Sequence, residues 1–194
     1  MTKEKIINTA YNLFIEKGYD NVTINDICRT CGITKTTFYY HLRSKEDIIS
    51  HFYDSITPSL GSRILDVVSA ENYWEQLMVC FETIILSSQY IGSDLNGQLL
   101  IMNIKDDKGT YDFNEDLTPI AVTIIKKAQK AGQIRNQSPA EQLYRASAYA
   151  FMGYETIWCI KKGSFDRLKH VRYAMENIYD VDPSLRRDNS DTNI

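Results

Sequence analysis

No stretch of this 194-residue chain is apolar for the roughly 20 residues a helix needs to cross a bilayer. No basic-then-apolar leader opens it. The expectation is a cytoplasmic protein with no membrane partner. Cysteine is scarce, and in a reducing compartment Cys28, Cys31, Cys80 and Cys159 form no disulfide framework. No strand pattern, internal repeat or low-complexity segment stands out. Nor is there a nucleophile motif, a phosphate loop or a metal-ligand spacing, so neither catalysis nor a metal or cofactor is expected. A basic excess is also missing. With 22 Lys and Arg against 25 Asp and Glu, the formal net charge is −3 and the pI about 5.6. An acidic body is repelled by phosphates, so a polyanion can be met only at a locally basic tip such as Lys35, Arg43 and Lys45.

What is present is helical periodicity. Hydrophobic residues make up 43% of the chain, enough for a packed core in one domain or in a small domain joined to a larger one. Apolar residues recur three and four apart nearly throughout. Ile6, Ile7, Ala10, Leu13 and Phe14 form one stripe, closed by Gly18. Thr23, with Asp26 three residues on, opens a second helix that Gly32 ends. Thr34 caps a third helix bearing Phe38 and Leu42. Ser44, with Glu46 and Asp47, opens a fourth through Ile48, Ile49 and Phe52, which Pro58 ends near Ile56. Further helices are expected at Tyr73–Ser88 (Trp74, Leu77, Met78, Phe81, Ile84, Ile85), around Leu99–Ile104, and at Leu117–Lys130. Lys105–Asn114 is expected to be a loop. Ser138-Pro139-Ala140-Glu141 predicts a capped start for a helix reaching Lys162. Ser164 is expected to cap the last helix, and the polar segment 183–194 to be a disordered tail.

The segment Thr23–Lys45 carries the functional signal. Two short helices joined by a tight turn at Gly32 have the helix-turn-helix spacing. In the second of them only Phe38 and Leu42 are evident core anchors. Lys35, Thr36, Thr37, Tyr39, Tyr40 and His41 are left for phosphates and base edges. The run Phe14, Gly18-Tyr19, Val22-Thr23, Asp26-Ile27, Gly32-Ile33, Thr34 through Leu42 and Ser44-Lys45-Glu46-Asp47-Ile48 resembles the TetR-type transcriptional regulators. The resemblance covers about the first quarter of the chain. Cys28 and Cys31 depart from it, standing where the family usually has small residues such as alanine.

The resemblance implies an all-α fold: an N-terminal three-helix helix-turn-helix unit at residues 1–47 and a larger helical bundle at 48–182, dimeric. It implies a ligand-responsive repressor that binds a palindromic operator in double-stranded DNA as a homodimer. Thr23 then touches a phosphate, Asn25 reaches a base, Thr34 to Thr37 open the recognition helix, Tyr39, Tyr40 and His41 form its contacting end, and Lys45 meets a phosphate. The alternatives are a ligand-independent architectural protein or activator, and a helical protein-interaction module.

For Cys28-x-x-Cys31, a redox or metal motif stands against two small buried residues, the preferred reading. His51 and Asp54 share a helix face, an arrangement usually just solvated. In the body, Met78, Phe81, Met102 and Tyr149 are candidate walls of an effector pocket, against the plainer reading as core. Glu82 and Glu155 interrupt apolar helices. Each either faces that pocket, favouring a cationic effector, or is paired with an arginine or exposed, favouring a neutral one. Leu168, Val171, Met175 and Ile178 share a face which, together with the helix from Ala140, apolar on more than one side, is expected to pack on a second subunit.

Overall fold

The structure is a computed structural model that describes residues 2–56, 63–107, 109 and 117–187, leaving aside the side chains at 52–56, 64, 87, 88 and 117. Nine α-helices occur among the described residues: α1 (Lys3–Lys17), α2 (Ile24–Cys31), α3 (Lys35–His41), α4 (Lys45–Ile56), α5 (Ile64–Ser69), α6 (Tyr73–Lys105), α7 (Leu117–Lys130), α8 (Ala140–Ile160) and α9 (Arg167–Ile178). A 3₁₀ turn follows at Pro183–Leu185. No strand is present among these residues, only an isolated bridge between Ile134 and Val181. None of the described helices is long and apolar enough to cross a membrane.

The chain divides into two compact units, Met1–Thr57 with Tyr90–Thr110, and Pro58–Gln89 with Tyr111–Ile194. The first unit therefore runs past the expected boundary at residue 47 and takes in the second half of α6. Its core gathers Ile6, Ala10 and Phe14 of α1, Ile27 of α2, Phe38 and Leu42 around α3, Ile48 of α4, and Ile91, Leu95 and Leu99 of α6. Two bonds pin this half of α6. The Tyr11 hydroxyl donates to the Tyr90 carbonyl at 2.7 Å, and the Tyr19 amide donates to Asp94 Oδ2 at 3.1 Å.

Residues 73–88 and 99–104 were expected as separate helices, but they form one element with a break inside it. Gly92 sits at φ 83°, ψ 162°, a region essentially reserved for glycine. Asn96 Nδ2 donates to the Gly92 carbonyl at 2.8 Å, satisfying one group that the break releases.

The second unit packs Trp74, Leu77, Met78, Phe81 and Ile85 of α6 against α7, α8 and α9. Inside it the hydroxyls of Ser147 and Tyr179 lie 2.7 Å apart. Two expected caps are corrected here. Pro139, not Ser138, is the cap residue of α8; its ψ of 131° is extended and its side chain has no oxygen to cap with. The helix ends at Ile160, just short of Lys162. Asp166, not Ser164, caps α9, its side chain accepting from the Lys169 amide. Residues 183–187, expected in a disordered tail, are held in place. Asp182 caps the 3₁₀ turn, Arg186 Nε donates to the Val181 carbonyl at 2.7 Å, and the Arg187 amide donates to Glu176 at 3.2 Å. Residues 188–194, Pro58, and most of the expected loop's second half lie outside the described residues.

The Gly92 break generates a test. A Cβ there meets no atom within 4 Å, so only the backbone opposes a side chain. Gly92→Ala should lower stability by about 1–3 kcal/mol in urea unfolding, the cost of such a conformation in a non-glycine residue. A change within about 0.5 kcal/mol would contradict the break.

Candidate nucleic-acid interface

The site begins with two caps and a turn. Thr23 Oγ1 accepts from the Asp26 amide at 3.2 Å and donates to Asp26 Oδ2 at 2.5 Å, while the Thr23 amide donates to the same oxygen at 3.0 Å. These bonds hold the Asp26 carboxyl below its ordinary pKa. Gly32 takes the left-handed conformation, φ 65° and ψ 34°, that lets the chain reverse after α2. Thr34 then caps α3 by accepting from the Thr37 amide at 3.1 Å, and the two hydroxyls lie 3.0 Å apart.

The rotation of α3 is set by burial. Phe38 and Leu42 are closed to solvent in the first core. Burying a side chain of this size is worth about 1.5–3 kcal/mol. With those positions inward, Lys35, Thr36, Tyr39 and Tyr40 are exposed, and Thr37 and His41 lie at the margin. Tyr40 is 84% exposed and Tyr39 53%, unusual for rings that ordinarily help fill cores. Asn25 and Thr23 are exposed at the start of α2. Between residues 33 and 45 every charge is positive, namely Lys35, Arg43 and Lys45. The structure thus brings all ten expected contact residues to exposed or marginal positions on α2, α3 and the start of α4.

Lys45 has a second task. Its ammonium donates to the Tyr19 carbonyl at 2.7 Å and the Val22 carbonyl at 3.0 Å, and sits 3.8 Å from the centre of the Tyr19 ring. Two of its three protons therefore hold the α1–α2 loop. Arg43, whose amide donates to Asp47 Oδ2 at 3.0 Å, is an exposed cation that the expected contact set left out.

The pocket residues expected in the body have different surroundings. Met78 and Phe81 are buried in the second core, with Phe81 and Phe151 ring centres 6.0 Å apart. Met102 packs on the first core. Tyr149 is 59% exposed on α8. Both carboxylates have arginine partners. Arg172 grips Glu75 with two bonds of 2.8 and 2.7 Å and lies 3.6 Å from Glu82. Arg167 donates to Glu155 at 2.5 Å and to the Ile85 carbonyl at 2.9 Å. The bonds from Arg172 hold the Glu75 carboxyl below its usual range. An open groove of about 610 Å³ does exist in the second unit, edged by Asp66, Glu71, Glu75 and Arg187, and none of the six expected pocket residues lines it.

Of the residues expected on a dimer face, Val171 and Met175 are fully enclosed in the chain's own core, and Leu168 and Ile178 pack against that core. An exposed apolar face lies on α8: Ala146, Tyr149, Gly153, Ile157 and Ile160, at spacings of three and four, with Tyr173 of α9 also exposed. The stripe on α9 is apolar because that side meets its own bundle. Of the two helix-turn cysteines, Cys28 is buried, which pushes its thiol pKa up, and Cys31 is half-buried. His51 Nε2 lies 2.7 Å from Lys3 and 3.5 Å from Asp47; the Asp54 side chain is outside the described set.

Comparison with known proteins bears on the same segment. Residues 6–52 match the family described as bacterial regulatory proteins, tetR family. Over 71 residues the chain is 38% identical to the biofilm operon icaADBC HTH-type negative transcriptional regulator IcaR of Staphylococcus aureus, covering 37% of this chain and 38% of that one. Over 99 residues it is 33% identical to the HTH-type transcriptional regulator YuxN of Bacillus subtilis, covering 48% and 34%. The chain thus spans little more than a third of the length of the curated relatives it matches. Two solved structures share the fold along the chain. The TetR family transcriptional regulator PfmR from Thermus thermophilus superimposes with a TM-score of 0.61 at 18% identity, over 94% of this chain and 100% of that one. FadR from Thermus thermophilus, in complex with lauroyl-CoA, gives a TM-score of 0.64 at 16% identity over all of both chains.

The Lys45 geometry yields a prediction. Lys45→Ala should cost about 1–3 kcal/mol of stability in urea unfolding, as loss of bonds from a charged donor does. Unchanged stability would contradict the clamp.

Proposed function

We propose, from the match of residues 6–52 to the tetR family of bacterial regulatory proteins, that the chain is a DNA-binding transcriptional repressor. The observation that carries this reading is the outward row of α3. Phe38 and Leu42 hold the helix in the core, and Lys35, Thr36, Tyr39 and Tyr40 stand clear of it. A short helix held this way enters the major groove, while the helix before it crosses the phosphate backbone. Thr23 and Arg43 meet phosphates, Asn25 reaches a base, and Thr34 and Thr37 fix the start of α3. The binding test is selection from random duplexes followed by a salt titration. Lys35→Ala should lower the salt slope by about one unit. Retrieval of no duplex sequence would reject the reading.

The bound form is a homodimer on a palindrome. Its support is the exposed apolar face of α8, where Ile157 is 45% and Ile160 65% exposed. Large exposed apolar patches on soluble domains mark interfaces. Two such copies present their recognition helices to half-sites about 34–36 Å apart.

The repressor is released by a small molecule held in the second unit. FadR of Thermus thermophilus was crystallised with lauroyl-CoA, and FadR of Bacillus subtilis with stearoyl-CoA. For this chain the effector is neutral or apolar, because Glu155 is paired with Arg167 and Glu82 lies 3.6 Å from the Arg172 guanidinium that it shares with Glu75. A second reading, regulation without a ligand, is favoured by the tight enclosure of Met78 and Phe81. Screening neutral and cationic compounds for release of the selected duplex separates the cases. Release by cations alone would reject the neutral effector, and release by nothing supports the second reading.

The dimer reading has its own test. Ile157→Glu should give a folded monomer that loses operator binding. Val171→Glu should instead unfold the chain, since it buries an unpaired charge in the core. Sedimentation and thermal unfolding distinguish the two. A folded, monomeric Val171→Glu would restore the α9 face as the interface.

A further inference from the structure

This inference rests on the DNA-reading assignment of α3 and concerns what it reads. Guanine is read by Arg or Lys at O6 and N7, adenine by Asn or Gln, and cytosine by a carboxylate acceptor. The recognition helix, Lys35–His41, holds one cation and no Arg, Asn, Gln, Asp or Glu. The Thr34 and Thr37 hydroxyls are occupied with each other and with the helix start. Asn25 and Arg43 lie outside the helix, on the start of α2 and beyond the α3 cap. What the helix itself offers base edges, beside the half-exposed His41 ring at its end, is Lys35 and three side chains with apolar surface: Thr36, Tyr39 and Tyr40.

These four form two rows. Thr36 and Tyr40 stand one turn apart, as do Lys35 and Tyr39. The Tyr40 ring meets the His41 ring edge-on at 5.0 Å and is otherwise open to solvent. In the major groove the apolar feature that a base displays is the 5-methyl group of thymine. We propose that the chain reads its half-site chiefly through thymine methyl groups, packed on the Thr36 methyl and the Tyr40 and Tyr39 rings. Lys35 takes a single guanine. The operator is accordingly rich in A·T pairs where α3 lies.

The experiment starts from duplexes selected by the full chain out of a random library. Each half-site thymine is replaced in turn by deoxyuridine, which removes the methyl and leaves every hydrogen-bonding group in place. At one or more positions affinity should fall about three- to fivefold, the worth of one buried methyl. Thr36→Ser keeps the hydroxyl and drops the methyl, and Tyr40→Ala drops the ring. At least one of these variants should bind the thymine and deoxyuridine forms of a sensitive duplex alike. Replacing guanines by 7-deazaguanine should matter at one position, and not at all in Lys35→Ala. The proposal is overturned if deoxyuridine is tolerated throughout, or if several guanines in one half-site each prove sensitive. If selection recovers no duplex, the DNA-reading assignment fails and the proposal falls with it; if duplexes are recovered without methyl dependence, only the proposal falls.

Discussion

Phe38 and Leu42 fix the rotation of a helix only seven residues long. So short a helix is not stable alone in water, where even Ala-rich peptides need about 12–15 residues. Its register comes from the core beneath it. Once those two side chains are inward, the polar and aromatic ones have nowhere to go but out. The Gly32 turn and the Thr23 and Thr34 caps then set where the helix starts. Everything that the exposed row can do chemically follows from this anchoring.

Around the anchor, the first unit uses its charged side chains as fasteners. Lys45 closes the α1–α2 loop from below, and Asp94 of α6 holds the same loop through the Tyr19 amide. The second half of α6 is thereby part of the first unit, although its first half belongs to the other core. In that other core, Arg167 and Arg172 are almost fully enclosed and reach carboxylates on α8 and α6. Breaking a buried pair by removing one partner is strongly destabilising. These pairs therefore specify how α9 docks on its neighbours, and the Arg167 pair takes up the charge of Glu155.

The N-terminal helices were readable because local chemistry and core packing agree there. Thr23 with Asp26, Gly32, Thr34 and Ser44 each sit where their caps require, and the structure keeps all four. Readability falls off where several residues compete for one role. Ser138 precedes a proline whose extended backbone moves the start of α8 one residue on, and Asp166 displaces Ser164 as the cap of α9. The Gly92 break was hidden because the apolar repeat continues on both sides of it. Pairing across the fold was hidden as well. Nothing near Glu155 in sequence announces Arg167, nor anything near Glu75 the arginine 97 residues away. Lys45 illustrates the same limit at the site itself: its residue type suits a phosphate, and only its surroundings show the carbonyls it holds.

Oxidative footprinting of the tyrosines, with and without a bound duplex, tests the orientation of α3 most directly. Tyr39 and Tyr40 should be modified readily in the free protein and protected in the complex, while Tyr149 and Tyr173 on α8 and α9 should react equally in both states. Equal modification of Tyr39 and Tyr40 in the two states would contradict the assignment of α3 as the helix that meets DNA.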